Sequence, residues 1–120
     1  NHRGRLMTRV TVEYEGDLVR RLACEGHAGN AAEGENVVCA AVSVLMQTCV
    51  NALERVAGVI PLTTVDERRA LIAVELPKAA AQQAHDAQTI LRTTVLGLTD
   101  ISHEYPKLVK ITTIDGRKQP

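Results

Sequence analysis

Aromatic side chains are almost missing from this sequence. Among its 120 residues there is no Trp and no Phe, and Tyr14 and Tyr105 account for the whole aromatic content of 2%. The hydrophobic content is nonetheless 45%, so the core must be built from Val, Leu, Ile and Ala. A core of this kind offers few flat rings on which nucleic-acid bases or sugars stack.

An excess of charge of either sign is also missing. The 14 Lys and Arg residues balance the 14 Asp and Glu residues, so the formal net charge at pH 7 is zero. Because nucleic-acid binding depends on concentrated positive charge, we expect no direct nucleic-acid partner. The apolar runs are short against the ~20 residues that span a bilayer, and no secretory signal is evident, so we expect no membrane association.

Cysteine is sparse and follows no disulfide or metal pattern. The three cysteines, Cys24, Cys39 and Cys49, are an odd number and contain no CxxC pair, and the histidines do not fall at zinc-ligand spacings. We therefore expect no metal and no cofactor. Reduced thiols fit a cytoplasmic protein better than a disulfide framework does. Cys24 and Cys49 are expected to be buried core thiols.

Hydrophobic periodicity predicts seven elements in one α+β domain. The predicted elements are strands over 8–14 and 18–24, a helix over 37–57, strands over 59–65 and 70–76, a helix over 79–101 and a strand over 108–114. The order ββαββαβ indicates a five-stranded mixed sheet packed with two helices. We expect the domain to span residues 7–115, with 1–6 as a vector-derived leader and 116–120 as a polar tail.

The same periodicity predicts which side chains face the core. In the second strand Leu18, Leu22 and Cys24 share one face, and Arg20 is an exception on that apolar side. The nearly all-apolar segment 70–76 is expected to be central in the sheet. The predicted helix stripes are Val38, Val42, Leu45, Cys49, Leu53 and Val56 in the first helix, and Ala80, Ala84, Ala87, Leu91, Val95 and Leu98 in the second.

Residues 26–43, GHAGNAAEGENVVCAAVS, carry the clearest signal for chemistry. His27 opens a glycine-rich loop, and Cys39 follows where the apolar pattern of the first helix begins. Asn36 is a candidate N-cap, which would place Cys39 near the third helical position. Unpaired N–H groups and the helix dipole favour a thiolate there. His27 is then a candidate to take the thiol proton and return it to a leaving amine.

Simpler interpretations of the same residues remain open at this point. Cys39 can be a core thiol, and His27 can be a loop histidine that only bonds backbone. Asn36 can orient an imidazole, as the third member of a Cys-His-Asn site does, but serves more often as an N-cap. The glycine loop lacks the residue order of known phosphate-binding loops, so a phosphate site is only weakly indicated.

The block GHAG followed by VVCAAVS at a helix start resembles the ribosomal-processing cysteine protease family, known as Prp. The resemblance covers essentially the whole domain: the first hairpin, the GHAG loop, the CAAVS helix with its later Asn51-Ala52-Leu53, and the order of strands and helices. It implies a cytoplasmic endopeptidase, usually a homodimer, that removes a short N-terminal extension from the large-subunit ribosomal protein L-twenty-seven. The N-terminal extension of a ribosomal protein is then the expected peptide substrate.

The resemblance also implies roles for individual residues. The family's catalytic histidine matches His27, its catalytic cysteine matches Cys39, and its helix-start serine matches Ser43, which lies one turn after Cys39. The glycine-rich loop is expected to be mobile and to order around substrate, with Gly26, Gly29 and Gly34 as its glycines.

One position departs from the family pattern. Family members commonly carry Asp three residues before the cysteine, where this chain has Asn36. An asparagine can accept a hydrogen bond from an imidazole but supplies no negative charge to hold an imidazolium. The departure leaves the His27–Cys39 pair in place and bears only on a third catalytic member. A non-catalytic, ribosome-associated peptide-binding module, which needs no reactive thiol, is the alternative to a protease.

Overall fold

The computed structural model describes residues 7–27, 35–78 and 84–115 of the chain. Gly29, Gly34, Ala80, the expected leader and the expected tail lie outside the described residues. The elements are β1 (Thr8–Glu15), β2 (Leu18–Glu25), α1 (Glu35–Arg55), β3 (Leu62–Asp66), β4 (Leu71–Glu75), α2 (Ala84–Glu104) and β5 (Val109–Asp115). The predicted α+β order ββαββαβ is confirmed.

The five strands form one mixed sheet in the order β3-β4-β2-β1-β5. All neighbours are antiparallel except β1 and β5, which pair in parallel with Thr8 opposite Val109. The prediction of a central strand is confirmed in the sense that β4 has a partner on each side. β3 begins three residues later than predicted, directly after Pro61, which cannot donate to the strand ladder.

The inward face predicted for β2 is wrong at the start of the strand, because β2 contains a β-bulge. Glu13 pairs with Arg21 but Tyr14 pairs with Val19, so Arg20 has no opposite residue in β1. The extra residue reverses the alternation. Val19 is therefore buried at 1% exposure, and Leu18, which was predicted to face the core, is 52% exposed. The bulge also explains why Arg20 interrupted the apolar pattern.

Both helices pack on one face of the sheet and enclose a single aliphatic core with Val10, Val12, Leu22 and Val74. The stripe predicted for α1 is confirmed except at Val56, which lies after the last helical residue and is 73% exposed. Fully buried Met46 fills the centre of α1's inner face. A small cluster of Ala23, Leu71 and Ala73 is buried on the opposite face of the sheet.

Helix α1 begins earlier than predicted. Its first residue is Glu35, so Asn36 is the second helical residue and the prediction that it caps the helix is wrong. Cys39 becomes the fifth residue, at the point where backbone N–H groups enter the regular i to i−4 ladder.

Helix α1 is more hydrophobic than the short apolar runs of the sequence suggested. Residues Val37–Arg55 have a mean hydropathy of 1.6 over a length sufficient to cross a bilayer, which the short apolar runs did not indicate. The core helix of a soluble domain passes the same test. Val38, Met46 and Leu53 are each at most 1% exposed and belong to the core cluster, whereas Val37 and Val44 on the outer side of the helix are 62% and 63% exposed.

Candidate active site

His27 lies two residues after the end of strand β2. The β2 ladder stops at Glu25, and the chain leaves the sheet through Gly26 to the exposed His27. The Gly26 N–H lies 3.2 Å from both the Arg69 and Ala70 carbonyl oxygens, in the β3–β4 turn. On the other side, the Thr8 hydroxyl donates to the Gly26 carbonyl at 3.1 Å. The two peptide units that flank Gly26 are thus held from opposite directions.

Gly26 is required by both its conformation and its surroundings. Its φ is +95°, and a Cβ at this position would lie 2.6 Å from the Met7 carbonyl oxygen. Any side chain would therefore force the β2 exit away from the start of β1. Of the three glycines predicted for the substrate loop, this is the one that the structure describes, and it fixes the backbone directly before His27.

Helix α1 supplies the thiol and a row of polar groups. Cys39, Ser43 and Gln47 are spaced four residues apart and all face the same cavity. Cys39 is half-buried, and Ser43 and Gln47 are exposed. The prediction that Ser43 shares the helix face of Cys39 is therefore confirmed. The apolar spacing alone did not indicate Gln47, although its i+8 position from Cys39 would have placed it on this face.

A cavity of about 380 Å³ brings His27 and Cys39 to one site. Its walls are α1, the exit of β2, the start of β1 at Thr8, and β3–β4 with the turn between them. Val42, Val65, Leu71 and Ile72 make it mainly apolar, while Asp66 and Glu67 stand on the turn side. A mainly apolar cleft with a few convergent polar groups is the usual form of a binding site.

The β3–β4 turn is braced against the exit of β2. Asp66 Oδ1 accepts the Arg68 N–H at 3.0 Å, and Arg69 Nε donates to Glu25 Oε2 at 2.8 Å. The hydrogen bond from Arg69 lowers the pKa of the Glu25 carboxyl, and the same bond raises the pKa of Arg69. Sequence analysis missed this wall because it is built from a turn 40 residues away from His27 along the chain.

The other two thiols are unsuited to nucleophilic chemistry. Cys24 and Cys49 are 2% and 1% exposed, as predicted, and none of the three cysteines is in a disulfide. Burial, together with the nearby Cys49 thiol, raises the pKa of Cys24 to about 12, and burial also raises the pKa of Cys49. Both therefore stay protonated near neutral pH, which leaves Cys39 as the accessible thiol.

No cluster of three or more metal-binding side chains occurs among residues 7–27, 35–78 and 84–115. His85 and His103 are exposed on α2, as predicted. The weakly indicated phosphate site would rest on the loop between His27 and Glu35, whose residues 28–34 lie outside the described part of the chain. What the described residues bring together is a thiol and an imidazole at one mainly apolar cleft.

Comparison with known proteins agrees with that chemistry. The family model described as cysteine protease Prp matches residues 7–110. The chain is 30% identical over 89 residues to the ribosomal processing cysteine protease Prp of Bacillus subtilis, a match that covers 73% of this chain and 80% of that protein.

Solved structures share the fold. SMU.848 from Streptococcus mutans is 27% identical, with a TM-score of 0.86 over 96% of this chain and 99% of that one. The Prp protease of S. aureus in complex with a substrate peptide is 22% identical, with a TM-score of 0.79 over 89% of this chain and 99% of that one. At that identity the S. aureus protein supports the fold alone.

The fold and the sequence match define a cysteine protease, a hydrolase that uses a thiol. The ββαββαβ sheet, with its helices on one face, is the scaffold that these relatives share. The chain belongs to the cysteine protease Prp family. An enzyme is therefore favoured over the non-catalytic binding module that the sequence alone left open.

Proposed function

We propose that this chain is an endopeptidase whose nucleophile is Cys39 and whose general base and acid is His27. The observation that carries the proposal is the shared cavity, which receives His27 from the exit of β2 and Cys39 from α1. The burial of the other two thiols supports it, because Cys24 lines the cavity but is only 2% exposed, and Cys49 is 1% exposed.

In the proposed reaction His27 takes the proton of the Cys39 thiol, and the sulfur attacks the scissile carbonyl carbon. The tetrahedral intermediate collapses as the C–N bond breaks, and His27 gives its proton to the departing amine. A thioester then links Cys39 to the N-terminal product. His27 removes a proton from water as the oxygen attacks the thioester and the C–S bond breaks. His27 returns that proton to sulfur, and the carboxylic acid product loses its own proton to solvent.

Neighbouring residues would support this reaction without entering it. Ser43 stands one helical turn from Cys39 in the cleft, where its hydroxyl can bond a substrate peptide group. Asn36 remains a candidate to orient the imidazole, although it provides no charge. Gly26 fixes the backbone directly before His27, and the substrate-loop role of Gly29 and Gly34, which lie outside the described residues, stays a prediction.

The proposed substrate is the N-terminal extension of the large-subunit ribosomal protein L-twenty-seven, cleaved in the cytoplasm. The name of the B. subtilis relative, a ribosomal processing protease, supports this assignment. So do S. aureus Prp structures with a substrate peptide and with a covalently linked product peptide. The mainly apolar walls of the cleft suit apolar side chains next to the scissile bond.

We also propose that the protein works as a homodimer. β3 is an edge strand whose Leu62 and Val65 are 58% and 64% exposed, and an unpaired edge with apolar side chains is commonly covered by another chain. Light scattering at micromolar concentration should give twice the chain mass of 13.0 kDa. A mass equal to one chain would remove this part of the proposal.

Cleavage of a synthetic extension peptide tests the protease directly. Wild-type protein, Cys39→Ala and the matched control Cys49→Ala are incubated with the peptide, and products are identified by mass spectrometry. We expect one cut by wild type, a rate lower by at least about 10³-fold in Cys39→Ala, and activity retained in Cys49→Ala. Equal rates for Cys39→Ala and wild type would refute the nucleophile assignment.

A further inference from the structure

One side-chain hydrogen bond holds the peptide unit between Gly26 and His27. This unit consists of the Gly26 carbonyl and the His27 N–H, and its oxygen accepts the hydrogen bond from Thr8 Oγ1 at 3.1 Å. The preceding peptide unit is held through the Gly26 N–H by the Arg69 and Ala70 carbonyls, each at 3.2 Å. Fixing both units sets the φ and ψ angles of Gly26 and so the direction in which His27 leaves the sheet.

Thr8 is itself rigidly placed. It is 2% exposed, its N–H donates to the Leu108 carbonyl at 2.8 Å, and it pairs with Val109 of β5. It also lines the cavity that contains His27 and Cys39. Only one other polar residue among the described parts of the chain is comparably buried, Thr94 of α2, and its hydroxyl bonds within its own helix, to the Ile90 carbonyl at 2.8 Å.

We propose that Thr8 is a positioning residue for His27. It acts through the Gly26–His27 peptide unit and holds the imidazole in reach of the Cys39 sulfur. The inference rests on the proposed catalytic roles of Cys39 and His27. Without the hydroxyl, the Gly26 carbonyl loses its side-chain donor, and the glycine, which has no Cβ to restrict it, can rotate about ψ.

Such a rotation should lower the rate of the chemical step much more than it lowers the stability of the fold. A displacement of the reacting group by about 1 Å can cost about 10²-fold in rate. The proton transfer between His27 and Cys39 needs hydrogen-bond distance, whereas the apolar walls that would bind a substrate are formed by other residues, Val42, Val65 and Ile72 among them. Loss of the hydroxyl should therefore lower kcat and leave KM nearly unchanged.

Thr8→Val removes the hydroxyl and keeps the shape of the side chain. We expect kcat for the extension peptide to fall at least about tenfold with little change in KM, and Thr8→Ser to restore it. Thr8→Ala removes the same hydroxyl without added bulk and should give the same loss. Thr94→Val is the matched control, because it removes the other buried threonine hydroxyl, which bonds Ile90 and the Cys49 thiol and does not line the cavity, and its kcat should match wild type.

The rate of Cys39 alkylation by iodoacetamide as a function of pH provides the second readout. If His27 is misplaced in Thr8→Val, alkylation near pH 6 should fall toward that of an ordinary thiol while Thr94→Val behaves as wild type. If wild type itself alkylates as an ordinary thiol, the proposed catalytic pair fails. If Cys39 of wild type is alkylated faster than an ordinary thiol at low pH, and Thr8→Val keeps both this alkylation rate and its kcat, the role of Thr8 is refuted.

Discussion

Gly26 passes so close to Met7 that a Cβ on Gly26 would lie 2.6 Å from the Met7 carbonyl oxygen. The contact brings the exit of β2 against the start of β1, directly before His27. The side chains of the cleft then come from five segments: β1, the exit of β2, α1, and β3 and β4 with their turn. The close approach of Gly26 and Met7 therefore leaves no room for a side chain at the residue directly before His27.

Replacing Gly26 with Ala should be strongly destabilising. The residue has φ +95° and meets backbone on the side where Cβ would be, so strain and clash add. We expect a loss of more than ~2 kcal/mol in the free energy of unfolding, measured by urea denaturation. Gly58→Ala is the control: φ is +71° but nothing lies within 4 Å of the added Cβ, and its cost should stay near ~1 kcal/mol. Equal costs for the two variants would contradict the clash.

The side chain of Gln88 in α2 takes the place of a neighbouring strand for Val19 of β2, which lies beyond the last β2–β4 pair, Arg21 and Glu75. Its side-chain amide accepts from the Val19 N–H and donates to the Val19 carbonyl, both at 2.8 Å. Gln88→Leu leaves two polar groups of a buried residue unsatisfied and should cost about 1–3 kcal/mol in urea denaturation. Gln47→Leu is the control, since exposed Gln47 makes a single 3.4 Å bond to Asn51, and should change stability by under ~0.5 kcal/mol. A negligible effect of Gln88→Leu would mean that water replaces the amide.

Burial of Cys24 predicts a loss of stability at alkaline pH. Its pKa is raised to about 12 in the folded protein, chiefly by burial, against about 8.5 for an unfolded thiol. The stabilising effect is complete below the unfolded value and is lost as pH rises toward the folded one. Between these values Cys24 should account for up to ~1.4 kcal/mol of lost stability per pH unit.

Urea denaturation at about pH 8 and about pH 10 checks this slope. Cys24→Ala should lose less stability than wild type over the same interval, because the thiol that ionises on unfolding is gone. Identical slopes for the two proteins would show that Cys24 is not the group responsible.

The order of elements could be predicted from sequence because each element satisfies its own periodicity. Residues 8–14 alternate and α1 carries a stripe at helical spacing, so both were found from local pattern alone. The bulge at Arg20 could not be found in this way. It depends on which β1 residue lies opposite, and that pairing is fixed only when the two strands come together.

The candidate site likewise contains residues that a local pattern indicates and residues that only tertiary contacts bring together. His27 and Cys39 could be singled out because their residue types and the helix start carry a chemical signal. Thr8 resembles any residue at the start of a strand, and its bond to Gly26 joins residues 18 positions apart. The β3–β4 wall is likewise assembled by strand pairing. Neither contact leaves a local pattern that sequence analysis could detect.

The most direct test of the account is the pH dependence of Cys39 alkylation in wild type and in His27→Ala. Proteins are treated with iodoacetamide from about pH 5 to about pH 9, and the modified cysteine is identified by peptide mapping. Cys24 and Cys49 serve as internal controls, since burial at 2% and 1% exposure should keep both unmodified in the folded protein.

We predict that iodoacetamide modifies Cys39 at least about tenfold faster in wild type than in His27→Ala at the lower end of this pH range. Superimposable profiles for wild type and His27→Ala would contradict the thiol–imidazole pair.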